Sequence, residues 1–150
     1  MFALSTAKIL LVEDNAGEEE LALFALKKAG VEQKDVVIVR DGQEAIDYLC
    51  GKGQYAGQQF DPEIRVVFLD LNLPKVHGLD VLKELRHNLD TQCLPVVILT
   101  SSDEERDVQE GYRAGANSYI QKSFDINEFK DNISALRNYW LDINLSPVSR

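Results

Sequence analysis

The sequence predicts an α/β fold, a doubly wound parallel sheet of five strands with five helices, and two observations predict it. Five short apolar runs recur along the chain, and the segments between them carry apolar residues at helical spacing. The runs are Ile9-Leu10-Leu11-Val12, Val36-Val37-Ile38-Val39, Val66-Val67-Phe68-Leu69, Val96-Val97-Ile98-Leu99 and the shorter Ser118-Tyr119-Ile120. Each has strand length and β-branched or aromatic content. Their apolar character is continuous rather than alternating, which means burial on both faces by covering helices.

The intervening segments supply those helices. In the first, Leu21, Phe24, Ala25 and Lys28 share one side, and Gly30 is placed to cap its end. Asp41-Gly42 opens the second, which runs through Ala45, Ile46 and Leu49. Gly78 precedes the third, where Leu82, Leu85 and Leu89 form one line. In the last, Phe129, Ile133, Leu136, Trp140 and Ile143 follow steps of 4, 3, 4 and 3 residues, one apolar stripe. Gly51 to Glu63, rich in Gly and Gln, reads as a surface loop, and its Gly-Lys-Gly lacks the spacing of a phosphate-binding loop. Right-handed crossovers then place any site at the carboxyl ends of the strands, near a topological switch point.

At 150 residues there is room for one core, so residues 1–150 are expected to form a single domain. A net charge of -9 and a pI near 4.7 oppose binding to nucleic acid, whose phosphates need compensating cations. No apolar run approaches the ~18 residues of a membrane span. The Met1 to Ala7 stretch lacks the features of a secretory signal, which makes the cytoplasm the expected location. Cys50 and Cys93, without metal-binding spacing, read as small buried thiols rather than a disulfide.

The chemistry gathers at the strand ends. Glu13 and Asp14 follow the first run and Asp70 the third, so the fold would bring three carboxylates together. Unit charges ~4 Å apart repel by roughly 4 kcal/mol at an effective dielectric of ~20, so a divalent cation is expected among them. Hard oxygen ligands without His or Cys point to Mg²⁺ or Mn²⁺. Singly, each acid would read as a helix cap or turn former. Thr100 at the end of the fourth run and Lys122 after the fifth weaken that reading by adding a hydroxyl and an ammonium at the same edge.

This set, Val12 to Asn15 (VEDN), Leu69 to Pro74 (LDLNLP), Leu99 to Ser102 (LTSS) and Tyr119 to Lys122 (YIQK), resembles the bacterial two-component response-regulator receiver family over nearly the whole chain. The resemblance implies the flavodoxin-like receiver fold with strand order 2-1-3-4-5. It implies that Asp70 is the phosphoacceptor, that Asp14 and Asp70 ligate the metal directly, that Glu13 acts mainly through water, and that Asn72 adds its backbone carbonyl. Thr100 and Lys122 would assist the transfer, and Thr100 with Tyr119 would form the switch. A charge-assisted hydrogen bond contributes roughly 1.5–3 kcal/mol, against about 5.5 to invert an equilibrium from 1:99 to 99:1, so Thr100 needs help from Lys122 and the metal. Such a protein is not an enzyme beyond self-catalysed phosphotransfer and slow autodephosphorylation.

Ser123 stands where most receivers have proline in a cis bond. The expectation is that the backbone still delivers Lys122 to within salt-bridge reach of Asp70. Asn72 and Ser102 occupy positions through which receivers shape water access, and their small polar side chains imply a moderate acyl-phosphate lifetime. The chain stops soon after the fifth helix, so output would pass through a partner protein. Residues 136–150 read as a C-terminal helical extension in which Trp140, Leu141, Ile143 and Leu145 project past the domain edge. The long loop after the second helix and the Tyr139-Trp140-Leu141 tail resemble receivers that accompany phytochrome histidine kinases. That narrower match implies a phytochrome-type sensor kinase as donor and a homodimer built on Tyr139, Trp140 and Leu141. Two other readings compete. A haloacid-dehalogenase-like phosphatase would also use a strand-end Asp, Mg²⁺, a hydroxyl and a Lys, but would need an acid where Asn72 stands. A phosphorylation-independent docking module is the other.

Overall fold

Strands that are apolar throughout must be covered on both faces, and the computed structural model, which describes residues 7–147, shows how. Strands β1 (Lys8–Val12), β2 (Val36–Val39), β3 (Ile64–Leu69), β4 (Val96–Thr100) and β5 (Ser118–Gln121) alternate with helices α1 (Ala16–Lys28), α2 (Gly42–Cys50), α3 (Gly78–His87), α4 (Glu105–Arg113) and α5 (Ile126–Arg137). The sheet order is β2-β1-β3-β4-β5 and every pairing is parallel, as expected. Two cores result. Leu10 and Val12 of β1 point into one with α2 and α3, while Ile9 and Leu11 point into the other with α1 and α5. The edge strand β5 is only half-buried. Among the described residues no helix is long and apolar enough to cross a membrane. The Met1 to Ala7 reading, save Ala7, and the last three residues of the 136–150 extension lie outside the described residues.

The caps follow simple chemistry. Asn15 Oδ1 accepts from the backbone N–H of Glu18 at 2.9 Å and opens α1, while Asp41 Oδ1 accepts from that of Glu44 at 2.7 Å and opens α2. Just beyond α1, Gly30 takes φ +91°, a conformation that favours glycine.

Several expectations are corrected. Phe24 is 43% exposed, flanked by the ammonium groups of Lys28 and Lys130, and Leu89 is 85% exposed because α3 ends at His87, two residues earlier. Cys93 is exposed in the turn before β4 and Cys50 is half-buried, so neither is a fully buried thiol, and both are free. Beyond α5 the chain widens into a π-helical segment, Asn138–Ile143. There Trp140 and Leu141 are half-buried against the α1/α5 core rather than projecting, whereas Tyr139, Ile143 and Leu145 are exposed.

At the end of the sheet away from the acidic residues, Arg86 ties α3 to two loops. Its guanidinium donates to the carbonyls of Gly115 (2.8 and 3.0 Å), Leu94 (2.9 Å), Thr91 and Gln92 (both 3.2 Å), and to Asn117 Oδ1 (3.0 Å). Arg86→Ala is expected to lower stability by about 2–3 kcal/mol, because charged donors are lost and partly buried carbonyls are left unpaired. Arg86→Lys should recover only part of that, since an ammonium cannot reproduce the planar fork. Urea denaturation of the three proteins checks this.

Candidate functional site

The strand register assembles the site. Val12 pairs with Leu69, and Leu69 with Ile98, so Glu13 and Asp70 leave the sheet side by side at the β1/β3 switch point. Backbone bonds continue the ladders past the strands: Asp70 N–H to Val12 O at 3.1 Å, and Lys122 N–H to Thr100 O at 2.7 Å. The latter bond fixes the main chain of Lys122 against β4. Every peptide bond among the described residues is trans, that before Ser123 included, and Lys122 Nζ still lies 3.3 Å from Asp70 Oδ2. The expected salt bridge is present without a proline.

Glu13, Asp14 and Asp70 each place a carboxylate oxygen so that all three lie within 4.8 Å of one another. Glu13 and Asp70 are buried, at 3% and 6% exposure, and Asp14 is exposed. Asn72 is exposed, and its backbone N–H donates to Asp70 Oδ1 at 3.3 Å. An all-oxygen set of this size suits a hard divalent cation that keeps water ligands.

Lys122 balances the cluster. Its ammonium lies 2.5 Å from Glu13 Oε1, 3.3 Å from Asp70 Oδ2 and 3.3 Å from Glu18 Oε2. Burial, opposed by Lys122 and reinforced by the charge of Asp70, raises the Glu13 carboxyl from 4.5 to about 7. Burial works to lower the Lys122 ammonium, yet its hydrogen bond to Glu13 and the charge of Asp70 hold it above its ordinary value. A carboxyl so raised binds its proton more tightly folded than unfolded. Its contribution to stability is therefore lost as pH rises from 4.5 through about 7, a window in which Lys122 stays charged. Without metal, in EDTA, the wild type should lose stability as pH rises from about 4.5 through about 7, and Glu13→Gln should flatten that slope. Urea midpoints across the pH range check it.

Thr100 closes the far side. Its Oγ1 is buried and has no hydrogen-bond partner among the described residues. Tyr119, half-buried and with its hydroxyl raised in pKa mainly by that burial, donates to the Ser102 carbonyl at 3.0 Å. Its ring packs where Gly111 of α4 has no side chain, since a Cβ there would lie 3.1 Å from the ring. The Ser102 hydroxyl donates to Asp107 Oδ2 at 2.6 Å and so is committed to the start of α4.

The structure thus brings Glu13, Asp14, Asp70, Asn72, Thr100 and Lys122 to one sheet edge, with Tyr119 on the edge strand β5 next to β4. Tyr139, Trp140 and Leu141 lie apart; the first two pack edge to face at 4.8 Å and line a groove of about 460 Å³ between β5 and the end of α5. One participant escaped the sequence reading. Glu18 is the third carboxylate on Lys122, and the available signal was its place three residues after the capping Asn15, in the first turn of the helix that follows β1.

Known proteins are similar to this chain over nearly its whole length. Response regulator Rcp1 of Synechocystis sp. strain PCC 6803 is 34% identical over 141 residues, 94% of this chain and 93% of its own. The crystal structure of the phosphorylated cyanobacterial phytochrome response regulator RcpA matches with a TM-score of 0.82 at 35% identity, covering 94% of this chain and 98% of that one. The Mn²⁺-bound form of response regulator Rcp1 matches with a TM-score of 0.82 at 33% identity, over 95% and 99%. Residues 9–134, from the first strand through most of α5, match the response regulator receiver domain, and with that sheet order and those strand ends the chain belongs to this family.

Proposed function

We propose that this chain is a phosphorylation switch whose Asp70 accepts a phosphoryl group from a sensor histidine kinase of the phytochrome type and signals to a partner protein by conformational change. One observation carries the reading: the buried Thr100 hydroxyl lacks a partner among the described residues while ending the strand beside the one that delivers Asp70. An unsatisfied buried hydroxyl costs about 1–3 kcal/mol, and a phosphoryl oxygen on Asp70 is an acceptor that would satisfy it. An Asp70 carboxylate oxygen forms the new P–O bond as the P–N bond to the kinase histidine breaks, and the imidazole keeps that electron pair. Lys122 offers its ammonium to the phosphoryl oxygens, and the Asn72 N–H steadies the carboxylate. Glu13, Asp14, Asp70 and the Asn72 carbonyl would hold Mg²⁺ or Mn²⁺, which supplies charge neutralisation for the transferring group.

On this reading residues 1–150 form one receiver domain in the cytoplasm, with 136–150 as its extension, and turnover is limited to self-catalysed transfer and slow autodephosphorylation. Small polar residues at Asn72 and Ser102 give a moderate lifetime, although the Ser102 hydroxyl is turned to Asp107. Tyr139, at 46% exposure, with Trp140 and Leu141 forms the homodimer surface, which sedimentation of the phosphorylated and unphosphorylated protein tests. Thr100 moving toward the phosphoryl group would draw on Tyr119 through the loop that both touch. Incubation with a small phosphodonor and Mg²⁺ should give an acid-stable, base-labile adduct of one phosphoryl group per chain. Steady release of many phosphates per chain would instead favour the phosphatase, and no adduct the docking module.

A further inference from the structure

We infer that Glu18 is a positioning residue for Lys122, the anchor that keeps the ammonium over Asp70 when Glu13 and Asp70 turn to a divalent cation. The inference rests on the receiver reading and names a residue outside the set that reading uses.

An ammonium has three donors, and Lys122 faces three carboxylates. Two of them, Glu13 and Asp70, belong to the acidic cluster that suits a cation, and Glu18 does not. A cation drawn to those two repels the ammonium and weakens both of its contacts there. Glu18 alone remains to hold it.

The local structure frees Glu18 for this work. With Asn15 as the cap of α1, Glu18 stands where a capping-box carboxylate would turn back to the Asn15 N–H. That N–H is already taken, since it donates to Glu13 Oε2 at 3.2 Å. The Glu18 backbone is meanwhile pinned by its N–H bond to Asn15 Oδ1 at 2.9 Å. The cap therefore fixes the main chain of Glu18, and Glu13 releases its side chain, which goes to Lys122. On the other side, the main chain of Lys122 is tied to Thr100 but continues into Ser123, where no proline ring restricts the backbone. The aim of the long Lys122 side chain thus depends on its acceptors. Glu18, with a side chain 42% exposed, sits at the rim of a cavity of about 190 Å³ that Glu13, Lys122, Ser123 and Phe124 also line.

A double-mutant cycle on the full chain tests this, using Glu18→Gln, Lys122→Ala and the pair. At saturating Mg²⁺, Glu18→Gln should slow adduct formation from a small phosphodonor by roughly threefold to tenfold, and should do nothing further in the Lys122→Ala background. Without donor, Mn²⁺ binding followed by electron paramagnetic resonance should weaken by a similar factor only while Lys122 is present, because the released ammonium settles on Glu13 and Asp70. Equal effects in both backgrounds would mark a general charge effect and overturn the inference, as would no effect in either. If wild type takes up no phosphoryl group, the receiver reading fails, and the Mn²⁺ cycle still decides whether Glu18 acts through Lys122.

Discussion

Asp70→Asn is expected to form no acid-stable, base-labile adduct under conditions that convert the wild type, a complete loss rather than a slowing. An amide oxygen is no nucleophile toward phosphorus, and among the described residues no other carboxylate has the same surroundings: buried, beside Lys122 and steadied by the Asn72 N–H. The fold should survive. Asn keeps the volume, its side-chain oxygen can still accept from Asn72, and Lys122 retains Glu13 and Glu18. With one negative charge gone, the Glu13 carboxyl should titrate below its present value of about 7, because Asp70 is among the causes that raise it. Mass spectrometry of the incubated proteins reads the adduct and urea denaturation reads the fold. An adduct on the variant at the wild-type rate would move the acceptor elsewhere.

Gly78→Ala should be nearly as damaging, by a different route. A Cβ at Gly78 would lie 2.3 Å from the Asp70 carbonyl oxygen and 2.7 Å from Leu71 Cα, both main-chain atoms that cannot rotate away. The Gly78 N–H also donates to Leu71 O at 2.9 Å, which holds the start of α3 against the end of β3. Relief requires the segment carrying Asp70 to shift. The expected destabilisation is about 3 kcal/mol, the upper part of the range for overpacked sites. A displacement of ~1 Å at a reacting group can reduce rate by roughly a hundredfold, so adduct formation should fall steeply even where the variant is folded. Urea midpoints and single-turnover rates at low temperature measure the two effects separately. Wild-type values for both would show that the β3/α3 junction yields more easily than its contacts imply.

Sequence reading reached far where the signal is local or repeated. Five runs and their spacers were legible because a strand covered on both faces has to be apolar throughout, and Asp41-Gly42 marked the start of α2 because a side-chain oxygen there satisfies a helical N–H. It failed where an ending matters. Leu89 continues the period of Leu82 and Leu85, yet α3 stops at His87, and spacing does not register where a helix stops. Phe24 has a helical position on α1 but reaches the margin of its buried face, where Lys28 and Lys130 cover part of the ring. Trp140 continues the apolar stripe of α5 toward the domain edge, but the helix widens to π-helical there, and Trp140 and Leu141 pack back onto the α1/α5 core.

By itself, the order of residues determined the βα alternation, the edge of the sheet at which to search, and the kinds of groups that meet there: carboxylates, a hydroxyl and an ammonium. These depend on short-range patterning and on the handedness of parallel crossovers, which leave few arrangements open. Only the tertiary structure decided which group faces which. That Lys122 reaches Asp70 across a trans bond to Ser123, that Glu18 shares the ammonium, that Thr100 keeps a buried hydroxyl without a partner among the described residues and that Arg86 ties α3 to two loops all depend on contacts between residues far apart in the chain. Such contacts are set by strand register and helix docking, which sum many small packing energies, and no local motif records that sum.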